Sequence, residues 1–284
     1  MQPDILESIK TCATRNEFPD KTHYIGISVK DIQTISHRFK IPQREIEIAS
    51  LKEGVIPQRY VRNFRSFSPS DQMTLLSKTV CIVGLGGLGG GVMEILARLG
   101  IGRLILIDGD FFENSNLNRQ LLSTEKNIGQ SKALIAAERI RQVNSSVETT
   151  IHGIYLDEPN AVDLMKGADV VVDCLDNIKT RFIVEHAAKA LKIPMVSGAV
   201  AGASGQVTVI FPETRGLEAI YGNHENLPEK GIETSTGTLP FTVTLVSTLE
   251  CAEVIKILLQ KAEALRNKLL FINPLENLYE VMSL

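Results

Sequence analysis

The chain has 284 residues, enough to bury one full hydrophobic core and carry a small appendage. Thirty basic against 33 acidic residues leave a formal net charge of −3, no electrostatic footprint for nucleic acid or an anionic membrane surface. No apolar run approaches the roughly 18–20 residues that span a bilayer, and the opening Met1-Gln2-Pro3-Asp4 lacks the basic and apolar regions of a signal peptide, so a cytoplasmic protein is expected.

Residues 1–56 differ in texture from the rest and predict a small helical N-terminal appendage. Apolar positions at Ile32, Ile35 and Phe39, with Ser28 and Asp31 placed to cap, suggest one short helix; Pro42 suits the first turn of a second that carries Ile46, Ala49 and Leu51. A helix-turn-helix is one reading of this pair, but residues 1–60 hold nine Lys/Arg and eight Asp/Glu, far short of a phosphate-binding face. A packing, dimer or partner-docking role is the stronger reading.

Residues 57–284 are expected to form a second, larger unit. A helix between Pro69 and Ser77 leads into alternating strands and helices: strand Thr79–Val83, helix from Gly89 to Leu99, strand Leu104–Ile107, helix Ser131–Gln142, strand Val170–Asp173, helix Thr180–Leu191, and strands from Pro194 and from Gln206. Continuous apolar runs closed by glycine mark strands buried on both faces, and the order predicts a doubly wound, Rossmann-like mixed α/β sheet. Pro212–Pro240 is long, polar and aperiodic, as functional loops are. Phe241–Leu259 reads as a helix with polar positions at Glu250, Glu253 and Lys256, and two strands about Asn273-Pro274 close the sheet. The four cysteines, Cys12, Cys81, Cys174 and Cys251, never form a Cys-x-x-Cys pair, so buried reduced thiols are expected.

Gly84-x-Gly86-Gly87-x-Gly89 follows a buried strand and opens a helix, which is the setting of a phosphate-binding turn. Asp108, ending the next strand, suits a ribose hydroxyl pair. Those features alone fit an NAD-dependent dehydrogenase. The dense polar cluster after Asp108 argues otherwise: Asp110, then Ser115, Asn116, Asn118, Arg119 and Gln120, with Lys132 thirteen residues beyond Arg119. Two fixed cations suit a triphosphate whose charge grows on a leaving pyrophosphate. Asp176, just past a core strand, suits the Mg²⁺ that accompanies ATP, although an Asp there is commonly a helix cap.

With these motifs in order the sequence resembles the ThiF/MoeB/HesA group, bacterial relatives of the ubiquitin-activating enzymes, over roughly Arg59 to Leu284. The carriers are Arg59-Tyr60-x-Arg62-Asn63, the Gly84–Gly89 loop, Asp108-x-Asp110, Ser115–Gln120, Gly129-Gln-x-Lys132, Asp173-Cys-x-Asp176-Asn177, Ser197-Gly198 and Gly205-Gln206. The resemblance implies ATP- and Mg²⁺-dependent adenylation of the terminal carboxylate of a small ubiquitin-like sulfur-carrier protein ending in Gly-Gly, or of a peptide, by a homodimer. It assigns Gly87, Asp108, Ser115, Asn116, Arg119, Lys132, Asp176 and Asn177 to ATP, with Arg62 reaching the phosphates of the neighbouring subunit's site. The catalytic set is then Arg62, Arg119, Lys132 and Asp176.

Two departures from the family pattern narrow this. The paired Cys-x-x-Cys motifs of a structural zinc are both missing, the first place reading Arg215 to Tyr221, so no zinc is expected. The stretch Gly231–Gly237 has no cysteine, which argues against a covalent thioester step. A non-catalytic, nucleotide-gated binding module and an NAD-dependent oxidoreductase stay open as alternatives.

Overall fold

The structure is a computed structural model that describes residues 3–222, 231 and 233–284. Residues 3–57 hold α1 (Pro3–Cys12), β1 (Thr14–Glu17), β2 (His23–Ile27), α2 (Val29–Phe39), α3 (Gln43–Lys52) and β3 (Val55–Pro57). The two anticipated helices are present: Ser28 Oγ accepts the Asp31 amide at the start of α2, and Pro42 stands at the N-cap of α3, one residue before the first turn. To them the structure adds α1 and a three-stranded sheet, β2 pairing antiparallel with β1 and parallel with β3. Ile5, Ile9, Ile27, Ile32, Ile35, Ile46 and Val55 form its separate apolar core.

Next come α4 (Pro69–Ser77), β4 (Thr79–Val83), α5 (Gly87–Leu99), β5 (Arg103–Ile107), α6 (Lys132–Val143), β6 (Glu148–His152), α7 (Ala161–Met165), β7 (Val170–Asp173), α8 (Ile178–Leu191), β8 (Met195–Ala201) and β9 (Ser204–Ile210). The chain ends with α9 (Glu218–Tyr221), α10 (Glu233–Thr236), α11 (Pro240–Leu259), β10 (Lys268–Asn273) and β11 (Leu278–Ser283). Eight strands form one sheet in the order β11-β10-β9-β8-β7-β4-β5-β6. From β6 to β8 neighbours run parallel, and from β8 to β11 they alternate in direction.

Strand β4 shows why this sheet needs helices on both faces. Val80 and Ile82 face the core shared with α5, α6 and α11, whereas Cys81 and Val83 face the core under α7 and α8. The order reverses between β4 and β7, so the crevice at their carboxyl ends is the topological switch point where ligands bind in such sheets. Helix α11 departs from the expected polar face: Glu250 and Glu253 are buried, at 0 % and 4 % exposure. Gly198 makes room for Glu250, since a Cβ on it would lie 2.5 Å from that carboxylate. Burial and the Asp173 charge push the Glu250 carboxyl well above its ordinary value, with Arg181 working against them.

Candidate functional site

The glycine loop is shaped by three close approaches. Gly84 has φ of +85° and donates its amide to Ile107 O at 2.9 Å, and a Cβ there would sit 2.9 Å from Cys174 O. A Cβ on Gly89 would fall 1.8 Å from Gly84 O, so this residue packs the turn against the helix and does not line the crevice. Helix α5 begins at Gly87 with no side-chain cap, leaving its first amides free for an anion.

Asp108 ties this loop to the next. Its Oδ2 accepts the Leu85 amide at 2.6 Å and its Oδ1 the Asp110 amide at 2.7 Å. Burial raises the Asp108 pKa, and those two amides work against the rise. Lys132 opens α6 with a side chain only 8 % exposed, its Nζ 3.0 Å from Asp110 Oδ2, while Tyr155 donates its hydroxyl to Asp110 Oδ1 at 2.7 Å. Burial opposes the Asp110 charge, but Tyr155 and Lys132 outweigh it and hold that carboxyl below its ordinary value.

The segment Asn114–Gln120 is a tight turn with distinct duties. Asn116 is buried, accepts the Glu113 amide on its side chain and takes the Arg119 and Gln120 amides on its carbonyl; it shapes the turn without lining the crevice. Arg119 is half-buried, and its Nη1 donates to Ser115 O at 2.9 Å and Asn118 Oδ1 at 3.0 Å. Asn118 in turn donates to Thr238 O at 3.4 Å, joining this turn to the segment that leads into α11. Gln120 is buried against Gly86, and its Oε1 has no hydrogen-bond partner among the described residues.

Beyond β7 the chain is held at both backbone groups of one residue, Leu175. Asp173 Oδ1 accepts the Leu175 amide at 3.1 Å, and Arg181 Nη2 donates to the Leu175 carbonyl. Arg181, buried on α8, also pairs with Asp173 Oδ2 at 3.0 Å and donates to Gly198 O at 2.9 Å. Asn177 caps α8, accepting the Thr180 amide at 3.0 Å. The capping role thus falls to Asn177, and Asp176 is left exposed on the crevice rim. Arg181 was not among the residues expected here; an arginine five positions past Asp176, with Asp173 ending the preceding strand, was the available signal.

These parts line one cavity of about 1420 Å³. Of the expected residues, Gly84, Gly86, Gly87, Asp108, Asp110, Ser115, Asn118, Arg119, Gln120, Lys132, Asp176 and Asn177 line it, while Gly89, Asn116 and the exposed Arg62 do not. The half away from the glycine loop, unanticipated, is lined by Ala199, Ala201, Gln206, Tyr221, Thr238 and Phe271, with Gln206 Nε2 donating to Tyr221 Oη at 3.2 Å. The loop 212–240 lies outside the described residues at 223–230 and 232, as does part of the cysteine-free stretch 231–237. Cys81, Cys174 and Cys251 are buried free thiols and Cys12 is half-buried. Burial pushes the Cys174 thiol far up, away from nucleophilic use. Among the described residues no group of three or more His, Cys, Asp or Glu is placed to hold a metal ion, and no helix is long and apolar enough to cross a membrane.

Comparison with known proteins agrees with this arrangement. The chain is 33 % identical over 217 residues to the SAMP-activating enzyme E1 of Haloferax volcanii, covering 75 % of this chain and 79 % of that protein. It is 34 % identical over 224 residues to the sulfur carrier protein adenylyltransferase of Thermus thermophilus, covering 73 % and 79 %. Against the adenylyltransferase and sulfurtransferase MOCS3 of Caenorhabditis briggsae it is 32 % identical and spans 53 % of that protein's length. Among solved structures, E. coli MccB with ATP superposes with a TM-score of 0.70 over 99 % of this chain and 86 % of that one, a likeness of fold at 23 % identity. The family model that matches residues 58–284, from the Arg59-Tyr60 turn through the glycine loop to the last strand, is that of the ThiF family, and the chain belongs to it.

Proposed function

We propose that this chain is an adenylyltransferase that joins the C-terminal carboxylate of a small ubiquitin-like carrier protein, or of a peptide, to the AMP moiety of ATP and releases pyrophosphate. The observation that carries the reading is the cavity. It brings the glycine loop, Asp108, Arg119, Lys132 and Asp176 together, and at about 1420 Å³ it exceeds an ordinary small-molecule pocket of roughly 300–1,000 Å³. A nucleotide half and an acyl half are thus available side by side. The relatives named for activating SAMP and sulfur-carrier proteins support the same substrate class. They also weigh against the dehydrogenase reading that a glycine loop and Asp108 alone allow.

The residues present suit ATP. The free amides of α5 and the Lys132 ammonium meet the phosphates, Asp108 takes the ribose, and the unpartnered Gln120 Oε1 gives a buried acceptor beside Gly86. A Cβ on Gly87 would reach within 3.0 Å of Val243, so glycine keeps the cradle open. Asp176 would hold Mg²⁺, which supplies charge neutralisation at the phosphates.

Carboxylates are weak electrophiles, and a mixed anhydride with AMP makes the acyl carbon open to sulfide or an amine. The chain's task is alignment and charge neutralisation. The carrier's carboxylate, already ionised at neutral pH, attacks the α-phosphorus without a general base. Arg119 and Lys132, with Arg62 from the second subunit of a homodimer, stabilise the charge that moves onto pyrophosphate. The stretch 231–237 has no cysteine, and Cys174, which lines the cavity, is a buried thiol, so the acyl adenylate is the product of this reading. The test is exchange of labelled pyrophosphate into ATP with a purified ubiquitin-like carrier ending in Gly-Gly. Exchange that needs the intact Gly-Gly tail supports the reading; ATP binding without exchange for carrier or peptide leaves the non-catalytic binding module in its place.

A further inference from the structure

Outside the cavity, the most elaborate buried polar cluster joins the N-terminal unit to the ThiF-matched region. Glu47, on α3, is fully buried. Its Oε1 lies 3.1 Å from Arg59 Nε, and its Oε2 accepts the Tyr60 hydroxyl at 3.1 Å. Tyr60 is itself fully buried and accepts a hydrogen bond from Asn144 Nδ2 at 3.0 Å. Asn144, just past α6, also donates to Ala97 O of α5 at 2.9 Å and accepts from Arg59 Nη1. The Tyr60 ring rests on Gly100, where a Cβ would be 2.6 Å away. Three parts of the chain therefore converge on residues 59 and 60.

Apolar side chains would seal such a contact without the desolvation cost of a buried carboxylate. What the polar cluster adds is direction: the Tyr60 hydroxyl donating to Glu47 Oε2 and Arg59 Nη1 donating to Asn144, with the Glu47 carboxylate beside the guanidinium, fix where the Arg59-Tyr60 peptide lies. The turn that follows is closed by Val61 N to Gln58 O at 3.3 Å and Asn63 N to Tyr60 O at 2.8 Å, and Asn63 Nδ2 donates to Gln72 Oε1 at 3.0 Å. Gln72 donates in turn to Leu99 O at 2.9 Å. Between these anchors, Arg62 projects exposed.

We infer that Glu47 is a positioning residue for Arg62: the N-terminal unit, through Glu47, Arg59 and Tyr60, sets the turn that presents this arginine to ATP phosphates. The inference rests on the reading of Arg62 given above, and it makes the N-terminal unit part of the nucleotide site. An appendage that only docks partners has no need of this link.

Titration calorimetry of the full chain with ATP in excess MgCl₂, and separately with AMP, tests it. Arg62→Ala should weaken ATP about tenfold, the loss of one charge-assisted hydrogen bond, and leave AMP unchanged. Glu47→Gln should weaken ATP about three- to fivefold with AMP again unchanged, and the double variant should be no worse than Arg62→Ala alone. Equal losses for ATP and AMP in Glu47→Gln, unchanged ATP affinity in that variant, or losses that multiply in the double variant, overturn the inference while leaving Arg62 in place. Unchanged ATP affinity in Arg62→Ala overturns the reading of Arg62 and the inference with it. If Glu47→Gln does not fold, Tyr60→Phe, which removes only the hydroxyl, gives the same pattern or overturns it.

Discussion

Lys132 Nζ stands 3.0 Å from Asp110 Oδ2 with the ammonium almost sealed from solvent, whereas the carboxylate is 48 % exposed. The cation is the committed member of the pair, because Asp110 can turn to Tyr155 and water but the lysine cannot leave the cavity wall. Lys132→Met should therefore lower pyrophosphate exchange on the order of 10²–10³, as loss of other preorganised charge-stabilising groups does. Stability should change by only about 1 kcal/mol, because the pair is half in solvent. A normal exchange rate in a folded variant would place the charge stabilisation elsewhere.

Arg119 separates function from stability more sharply. It is half-buried, and among the described residues its side chain donates to Ser115 O and Asn118 Oδ1, both within its own turn. Arg119→Ala is expected to unfold within about 0.5 kcal/mol of the parent. Turnover should fall by about 10²–10³. Exchange at the parent rate would remove Arg119 from the mechanism.

Asp176 and Asn177 are neighbours with opposite expected phenotypes. Asn177→Ala deletes the α8 cap and should cost about 1 kcal/mol, read by denaturant titration. Asp176→Asn should leave the denaturation midpoint in place and raise the MgCl₂ concentration needed for half-maximal exchange. An unchanged metal requirement would show that Asp176 is not the ligand.

Gly89→Ala and Gly167→Ala contrast a packing glycine with a conformational one. The first drives a Cβ to 1.8 Å from Gly84 O and should cost about 3 kcal/mol or more, with loss of ATP binding. Gly167 has φ of +87° and open space around it, so alanine there should cost about 1 kcal/mol and spare the site. Equal midpoints for the two variants would refute the steric account of the loop.

Glu94, on α5, links two elements of the nucleotide half by accepting Arg139 Nε at 2.9 Å from α6 and by pairing with Arg98. Burial disfavours its charge, but the two arginines outweigh that and hold its carboxyl below the ordinary value of 4.5. A carboxyl lowered in the folded state contributes fully above its unfolded pKa and loses that contribution as pH falls through the folded one. The melting difference between the parent and Glu94→Gln, about 1–3 kcal/mol at pH 7, should thus hold to about pH 5.5 and shrink below about pH 4.5. A gap that widens in acid would contradict the sign.

How much of this was legible depended on burial. Thr79–Val83 and Val170–Asp173 are sealed on both faces, and their continuous apolar runs predict strands whose observed ends match. Strand β6, Glu-Thr-Thr-Ile-His, pairs only with β5 at the sheet edge, and its polar sequence carries no such signal. The same holds for β1, which reads Thr-Arg-Asn-Glu. At the site, the glycine spacing and the Ser115–Gln120 run announce themselves because backbone geometry and charge are local. Arg181 and Glu250 do not, because the partners that justify burying them, Leu175 O and Gly198 among them, come from other elements. Asn116, expected among the ATP residues, is buried in the turn that presents Arg119, and its hydrogen bonds within that turn come from residues close in sequence.

The reversal of β9 against β8 has a consequence for how such a protein diversifies. Parallel strands β4, β5 and β7 bring only their carboxyl ends to the crevice, whereas Ala199 and Ala201 at the end of β8 and Gln206 near the start of β9 meet there across a hairpin. Residues on that hairpin and on the connection to α11 can lengthen, shorten or change chemistry without shifting the register that holds Gly84 to Asp108 and Asp176. On the adenylation reading, selection can then exchange one acyl donor for another through a few positions on the antiparallel flank, leaving the residues that handle the phosphates untouched.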